Sequence, residues 1–310
     1  MATPANCECT SAIDNDIHNT TKRREGLMKP QIVTAIPIPF TSEGDVDEGT
    51  YQRAIEFIEP HVDGVLVAGT TGEFLALDDD ERLELFKLTR DLIGADRTIA
   101  HLGHASSFQA GRLARRTLDL GIRRTALITP YYLPTDDEGL VDFYRETLAA
   151  APEQQLYAYL FPERTGIEVA PEVLKEILAL PGVVGVKLSG AASDALETYA
   201  EVLSEGQELY SGNDATLPDV IGLGGSGVVS GVSSVFPELF ANLSAQIDRG
   251  DDYSELQTEV ARLVALTGPN IRFLKVGLAA RVGGEWADRM SMPMPTKEVE
   301  ESILAAVGRY

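Results

Sequence analysis

A single lysine is set into the apolar segment GVVGVKLSG, which covers residues 182–190. Burying an unpaired ammonium costs several kcal/mol, so Lys187 is expected either to have a partner or to be placed for chemistry. Loss of hydration disfavours the charged form and makes the neutral amine available as a nucleophile. Such an amine attacks a ketone, and the protonated imine is an electron sink for making or breaking the adjacent carbon–carbon bond. A paired or snorkelling lysine is the structural alternative.

A second motif, AGTTGE at residues 68–73, has the composition of an anion-binding turn. It follows an apolar segment and precedes a helix pattern that begins with aspartates. Backbone N–H groups between Gly69 and Gly72, together with the Thr71 hydroxyl, would hold a small carboxylate. Glycine–threonine turns are common, so this motif alone is also compatible with an ordinary turn.

Two further motifs supply phenols and a guanidinium. YLFPERTG at residues 159–166 contains Tyr159, which could transfer protons, and Arg164, whose forked donors suit a second anionic group. TPYY at residues 129–132 adds two more phenols. A buried core tyrosine and a solvated loop arginine are the alternatives for each residue taken alone.

The sequence gives little support for a metal centre or a nucleotide cofactor, and we expect neither. Among the four histidines, His18 is in the N-terminal tail and His61 ends a helix pattern, while His101 and His104 flank a Leu-Gly pair after an apolar segment. Two histidines so close on a strand or turn do not make a three-ligand site by themselves. The glycine-rich segment 222–227 precedes a strand pattern, whereas a nucleotide-binding loop follows one.

The elements that must position these groups alternate along the chain. Short apolar segments typical of strands buried on both faces are followed by helical patterns. The strand patterns cover residues 32–38, 64–69, 97–103, 123–130, 155–161, 183–187, 208–212 and 227–232. Eight such pairs predict a (β/α)8 barrel, whose active site lies where the strands end, rather than a doubly wound sheet. Lys187, Tyr159, Tyr132 and Thr70 all stand at or just after predicted strand ends.

Composition limits the class of protein further. The chain has 310 residues, a formal net charge of −22 and 44% hydrophobic residues, so it can fill a large core and repels nucleic-acid phosphates and anionic membranes. No segment is a membrane-span or signal-peptide candidate, which predicts a cytoplasmic protein. Residues 1–27, which contain both cysteines, Cys7 and Cys9, are predicted to be a disordered extension. We expect the barrel over residues 28–250 and additional helices over residues 251–310.

In order and spacing, GTTGE, TPYY, YLFPERTG and GVKLSG resemble the dihydrodipicolinate synthase and N-acetylneuraminate lyase family. The resemblance extends from about residue 28 to the C-terminus and includes GNDA at residues 212–215 and the GGSGVVSG that follows. It implies a class I pyruvate-dependent aldolase on a TIM barrel, assembled as a homotetramer from tight dimers, with pyruvate and an aldehyde as its small-molecule partners.

The resemblance also assigns roles to residues. It implies that Lys187 forms the Schiff base, that Tyr159 transfers protons, and that Thr70 and Tyr132 complete a relay, with Tyr132 reaching in from the neighbouring subunit. It further implies a set of substrate-binding residues: Thr71, Gly72, Gly69 and Val229 on the pyruvate side, and Arg164 for the carboxylate of the aldehyde.

The chain departs from the family pattern at several positions. Leu160 stands where the family usually has an asparagine after the strand-five tyrosine, and the bulky Phe161 comes next. Leu188 follows the lysine where an acidic or polar residue is common. We expect these changes to alter the aldehyde half of the pocket. His101 and His104 replace small residues and are expected to reshape it.

Several functions fit this pattern. The leading one is a dihydrodipicolinate synthase-like enzyme that joins pyruvate and aspartate semialdehyde. The alternative is an aldolase for 2-keto-3-deoxy sugar acids or an enzyme like N-acetylneuraminate lyase. A dehydratase that uses the same imine and a non-catalytic ligand-binding homologue are further possibilities, and the intact lysine, tyrosine and threonines argue against the last.

Overall fold

Eight parallel strands close into a barrel in the computed structural model, which describes residues 29–268 and 270–310. The strands are β1 (Gln31–Ala35), β2 (Gly64–Val67), β3 (Thr98–His101), β4 (Arg124–Ile128), β5 (Gln155–Leu160), β6 (Val183–Leu188), β7 (Glu208–Ser211) and β8 (Gly227–Ser230). Each strand pairs with the next along the chain, and β1 pairs with β8. The predicted (β/α)8 barrel is confirmed.

Helices connect the strands and continue beyond the last one. Within the described residues they are α1 (Glu48–Ile58), α2 (Asp79–Ile93), α3 (Ser107–Asp119), α4 (Asp137–Ala150), α5 (Pro162–Thr165), α6 (Pro171–Leu178), α7 (Ala191–Asp194), α8 (Leu196–Ala200), α9 (Leu217–Gly222), α10 (Pro237–Arg249), α11 (Ser254–Thr267), α12 (Ile271–Val282) and α13 (Lys297–Val307). Five single 3-10 turns are Glu59–His61, Phe74–Ala76, Ala95–Arg97, Asp214–Thr216 and Val232–Ser234.

Local sequence accounts for several of these boundaries. Asp78 caps α2 and forms a reciprocal pair of hydrogen bonds with Glu81, and the helix ends at Gly94 with φ of 89°. β1 ends earlier than its pattern predicted, because Pro37 cannot donate a ladder hydrogen bond. The pattern predicted one helix after β6, but the structure has two, α7 and α8, separated at Ala195.

Side chains alternate between the inside and the outside of the barrel, and this alternation places the functional layer. A cluster inside the barrel contains Val33, Ala35, Leu66, Ile99, Ala126, Tyr157, Tyr210 and Val229. The side chain two residues further along a strand points to the same face, nearer the carboxyl end. His101 therefore stands above Ile99 and Tyr159 above Tyr157, at the end of the barrel where the loops lie.

The helices α11 and α12 join the core around the barrel through Val260, Leu263, Leu274 and Leu278, and α13 packs against these two helices. The predicted C-terminal helical region is thus confirmed, while its division from the barrel at residue 250 stays a prediction. The N-terminal extension with its two cysteines lies outside the described residues. No helix of the described part is both long and apolar enough to cross a bilayer.

Candidate active site

Lys187 lies on β6 with its side chain inside the barrel, where only 7% of its surface is exposed. Its Nζ is 3.6 Å from the centroid of the Tyr159 ring, the geometry of a cation–π contact. Gly212 makes room for it, since a Cβ there would lie 3.2 Å from the Lys187 Cε. Among the described residues no carboxylate forms an ion pair with Lys187. This is a buried amine beside a phenol, and not the paired lysine of the structural alternative.

Tyr159 stands next to Lys187 because the two residues are paired between β5 and β6. The ring is buried, and its hydroxyl lies 3.3 Å from the Thr70 Oγ1, with either oxygen able to donate. Three of the residues expected to be catalytic, Lys187, Tyr159 and Thr70, are thereby brought together. The Tyr159 side chain therefore contacts Lys187 through its ring face and the turn after β2 through its hydroxyl.

The turn after β2 is tight and is closed by its own hydrogen bonds. The amides of Gly72 and Glu73 donate to the carbonyls of Gly69 and Thr70, at 3.0 and 3.1 Å. A Cβ at Gly72 would lie 3.1 Å from the Ala68 Cα, so a larger residue does not fit. No hydrogen bond among the described residues uses the amides of Thr70 and Thr71. Those two amides and the Thr71 hydroxyl are therefore available to an anion.

Two further residues were predicted to lie on the pyruvate side, Gly69 and Val229. Gly69 belongs to the same turn, where an added Cβ would lie 3.3 Å from Leu66. Val229 is on β8 inside the barrel and, with Lys187 and Tyr210, lines a cavity of about 10 Å³. Val229 therefore lies near Lys187 inside the barrel and does not line the open cleft.

A cleft of about 510 Å³ opens at the carboxyl end of the barrel. Its lining comprises Thr70, Phe74, Leu75, Ile128, Tyr131, Arg164, Thr165, Asn270, Ile271, Met290, Ser291, Met292 and Pro293. Lys187 itself does not line this cleft. The two adjoin through Thr70, which lines the cleft and contacts the Tyr159 hydroxyl. We place the reacting centre at Lys187 on chemical grounds and the cleft beside it.

Arg164 lies on the short helix α5 and lines the cleft with an exposed guanidinium, 5.4 Å from the Phe161 ring. Among the described residues no carboxylate pairs with it. Its neighbour Glu163 instead accepts a hydrogen bond from the Ala191 amide at 2.7 Å. The arginine does not brace its loop against an acidic neighbour and is free to bind an anion.

Tyr132 is not brought to the site within one chain. It is 92% exposed and has φ of 81°, in the left-handed region that favours glycine. Leu133 and Leu75 are exposed apolar neighbours in the same part of the surface. The preceding Tyr131 does line the cleft, with its ring 6.0 Å from that of Phe74.

One expectation about the family departures is wrong. Leu160 and Leu188 are paired across β5 and β6 and are buried in the core between the barrel and its helices. Residues adjacent to inward-facing Tyr159 and Lys187 must point outward, so these leucines cannot alter the aldehyde half. Phe161 does belong to the cluster around Tyr159.

His101 occupies the barrel interior beside the reacting centre. Its ring centroid lies 4.6 Å from that of Phe74 and 6.0 Å from that of Tyr159. Nδ1 faces the Ala68 carbonyl oxygen at 3.0 Å, so Nδ1 carries the proton and Nε2 is left as a buried acceptor without a partner among the described residues. Burial lowers the pKa of His101 well below its usual value, and the nearby charges of Arg82 and Lys187 lower it further.

His104 lies outside this layer. Its Nε2 is 2.8 Å from the Asp79 Oδ1 and 3.2 Å from the buried Arg82 guanidinium. Burial, and then Arg82, lower the pKa of His104 against the opposing effect of Asp79. The residues described contain no cluster of three or more histidine, cysteine or acidic side chains suited to a metal ion.

Sequence reasoning missed the C-terminal contribution to the cleft. Met290, Ser291, Met292 and Pro293 line it from a segment between α12 and α13, and Asn270 and Ile271 line it from the start of α12. No local motif marks these residues. The one signal was Glu73 of GTTGE, an acidic residue in an otherwise uncharged turn, whose carboxylate needs a distant partner if it is buried.

The fold and this site together define a class I lyase, an enzyme that works through a lysine imine. The chain matches the model of the dihydrodipicolinate synthetase family over residues 28–308 and belongs to that family.

Individual relatives agree with this assignment. The chain is 34% identical over 208 residues to a 4-hydroxy-tetrahydrodipicolinate synthase of Caldicellulosiruptor bescii, covering 66% of this chain and 69% of the relative. It is 31% identical over 287 residues to the enzyme of that name from a Cyanothece species, covering 90% and 98%. A solved variant of the 2-keto-3-deoxygluconate aldolase of Sulfolobus solfataricus is 25% identical, with a TM-score of 0.79 over 90% of this chain and 96% of that one.

Proposed function

We propose that this enzyme joins or splits pyruvate and a carboxylate-bearing aldehyde through an imine at Lys187. The observation that carries the proposal is the buried Lys187 amine packed on Tyr159, whose hydroxyl contacts Thr70. No other lysine among the described residues shares this setting inside the barrel. Relatives of the chain are named 4-hydroxy-tetrahydrodipicolinate synthase, and the resemblance to the dihydrodipicolinate synthase family supports aspartate semialdehyde as the aldehyde.

The chemistry follows from what each group can do. The neutral Lys187 amine attacks the pyruvate ketone carbon, water leaves, and a protonated imine forms. Loss of a methyl proton gives an enamine, whose carbon attacks the aldehyde carbon, and hydrolysis of the adduct releases the product and the amine. Tyr159 moves the protons of these steps, and Thr70 connects it to the cleft. The free amides of the turn and the Thr71 hydroxyl hold the pyruvate carboxylate.

Arg164 would hold the aldehyde carboxylate. It lines the cleft, it is unpaired among the described residues, and its planar donors match a carboxylate in two-point contact.

A second copy of the chain would complete the site. We propose that Tyr132 enters the relay of a neighbouring subunit, since it is exposed, is held in a left-handed backbone conformation and lies beside exposed Leu133. This fits the homotetramer expected from the family resemblance. A cytoplasmic location also stays a proposal, supported by the acidic composition.

Trapping with borohydride tests the imine. Incubation of the enzyme with pyruvate and borohydride should add one reduced pyruvate unit per chain, located on Lys187 by peptide mass spectrometry. Lys187→Ala should abolish the label, whereas Lys175→Ala, at an exposed lysine on α6, should leave it unchanged. A label that survives Lys187→Ala would refute the mechanism.

A sugar-acid aldolase is the second candidate, favoured by the likeness to the 2-keto-3-deoxygluconate aldolase. Measuring kcat/KM with pyruvate and either aspartate semialdehyde or glyceraldehyde separates the two. Preference for glyceraldehyde would replace the leading proposal.

A further inference from the structure

One wall of the cleft is formed by a segment that lies well beyond the last barrel strand in the sequence. It consists of Met290, Ser291, Met292 and Pro293. After α12 the chain pairs with the loop that follows β1, through a bridge between Phe40 and Ala287. It then passes Asp288 and Arg289 and reaches the cleft that also contains Arg164. We call residues 290–293 the C-terminal wall.

Buried charges fix the start of this wall. Both Glu73 carboxylate oxygens are used: Oε1 accepts from the Lys275 Nζ at 2.5 Å, and Oε2 accepts from the amides of Arg289 and Met290 at 3.1 and 2.7 Å. Glu73 follows Thr70 and Thr71 in one turn, so a single residue ties the turn of the reacting centre to the wall of the cleft.

Arg289 adds a second set of ties. Its guanidinium donates to both carboxylate oxygens of Glu81 on α2, at 2.6 and 2.8 Å, and to the Ala76 carbonyl at 2.9 Å. Its Nε donates to the Gly44 carbonyl at 2.6 Å. The wall is therefore held to the loops that follow β1 and β2 and to α2, and it presents a preformed surface to the cleft.

That surface is mainly apolar. Eight of the thirteen lining residues are hydrophobic or aromatic side chains or proline, contributed by Phe74, Leu75, Ile128, Tyr131, Ile271, Met290, Met292 and Pro293. A hydroxyl buried against such groups without a hydrogen-bond partner costs free energy.

Some polar lining groups are already engaged. Thr165 Oγ1 donates to the Phe161 carbonyl and accepts from Thr129, at 3.2 and 3.0 Å. Asn270 Oδ1 accepts from the Arg272 amide at 3.0 Å to cap α12, and the Thr70 hydroxyl contacts that of Tyr159. The Arg164 guanidinium, the Ser291 and Tyr131 hydroxyls and the Asn270 Nδ2 group remain. The one cation suits an anionic group, whereas the side chains of Met290, Met292 and Pro293 offer no hydrogen-bond partner to hydroxyls on the rest of the aldehyde.

We propose that residues 290–293 are the aldehyde-specificity wall, and that it favours an aldehyde whose anionic group binds Arg164 over one that also carries several hydroxyls. This inference rests on the proposed function, because it assigns the second substrate of the same site. Glu73 acts as a positioning residue for the wall.

A matched pair of aldehydes tests the wall: succinic semialdehyde and its dihydroxylated counterpart, erythruronate, which differ only in two hydroxyls. With pyruvate, the wild-type enzyme should prefer succinic semialdehyde by roughly 10- to 100-fold in kcat/KM, the range for a hydroxyl placed in an apolar pocket. Equal kcat/KM values, or a preference for erythruronate, would overturn the proposal.

Variants of the C-terminal wall test whether its residues cause the preference between the two aldehydes. Met292→Ser should reduce the preference by about 10-fold, since it replaces an apolar contact with a hydroxyl. Met290→Ser, the second variant, should reduce it as well. Met294→Ser is the matched control, because Met294 is 64% exposed, does not line the cleft and should leave the ratio unchanged. A ratio unaffected by both wall variants would overturn the assignment of residues 290–293.

Borohydride trapping of pyruvate on every variant distinguishes a failure of the proposed imine chemistry from a failure of the wall assignment. Failure of trapping in the wild-type enzyme refutes the proposed function. Normal trapping without the aldehyde preference refutes the wall alone.

Discussion

Replacing Lys275 with methionine removes the charge that holds Glu73, while the methionine keeps most of the volume of the lysine stem. Lys275 is buried and its Nζ has three oxygen neighbours: Glu73 Oε1 at 2.5 Å, the Ala287 carbonyl at 2.6 Å and Asp288 Oδ1 at 3.3 Å. It also lies 4.7 Å from the centroid of the Phe40 ring. The substitution leaves a buried carboxylate without its cation.

The expected loss of stability depends on which hydrogen-bond partners Glu73 keeps after the substitution. Removing one partner of a buried ion pair costs about 3 to 5 kcal/mol. Glu73 Oε2 keeps the amides of Arg289 and Met290, so we expect Lys275→Met to lower the free energy of unfolding by about 3 kcal/mol. Glu73→Gln should cost a similar amount, because an amide has one acceptor oxygen where the carboxylate serves two sets of donors. The double variant should cost less than the sum of the two, since neither orphaned charge remains.

Urea unfolding followed by circular dichroism measures these differences. Lys87→Met is the matched control: Lys87 pairs with Asp91 at 2.8 Å on the exposed face of α2, and the loss of this solvated pair should leave stability nearly unchanged. If Lys275→Met were as mild as Lys87→Met, the buried network would not hold the wall. At urea concentrations too low to unfold the variant, Lys275→Met should also raise the KM for the aldehyde. Pyruvate should still be trapped on the enzyme by borohydride.

Three further outcomes are expected. Tyr159→Phe should lower kcat by about 10²- to 10⁴-fold with little change in pyruvate binding, and near-normal turnover would remove Tyr159 from the relay. Arg164→Ala should lower kcat/KM for a carboxylate-bearing aldehyde by a factor that corresponds to about 2 to 4 kcal/mol, and the melting temperature should not change. A lowered melting temperature with an unchanged aldehyde preference would contradict the role of Arg164. Because the pKa of His101 is lowered in the folded chain, the unfolded chain binds the extra proton first as pH falls below about 6.5. Stability should then decrease by up to about 1.4 kcal/mol per pH unit, and His101→Phe should flatten that slope in urea titrations between pH of about 6.5 and 5.

The barrel, and the meeting of Lys187, Tyr159 and Thr70 at one end of it, were predictable because both depend on local patterns. Apolar segments alternating with helical periods define the strands, and strand ends define where Lys187, Tyr159 and Thr70 meet. The error over Leu160 and Leu188 was avoidable from the same information. Once Lys187 and Tyr159 point inward, the alternation of a strand sends the next residue outward.

The cleft wall was not predictable in the same way. Glu73 and Lys275 are separated by 202 residues, and the pairing depends on how α12 and the segment after it dock on the barrel. Sequence periodicity identifies which face of a helix is buried, but it does not identify which distant loop that face meets. Tyr132 shows a related limit, since its proposed partner is in another copy of the chain.

The two halves of the site consequently have different structural origins. The proposed imine centre is built from inward-facing residues of adjacent strands, whose positions are fixed by the register of β5 and β6. The proposed aldehyde side is built from Arg164 on α5 and from the C-terminal wall, which is attached through Glu73 and Arg289. Substitutions in the wall can change the shape and polarity offered to the aldehyde without moving Lys187 relative to Tyr159. On the proposed assignment, a chain of this family can keep its pyruvate chemistry while its second substrate changes. Of the residues proposed to face that substrate, Arg164 lies in a motif by which the family is recognised, whereas residues 290–293 do not.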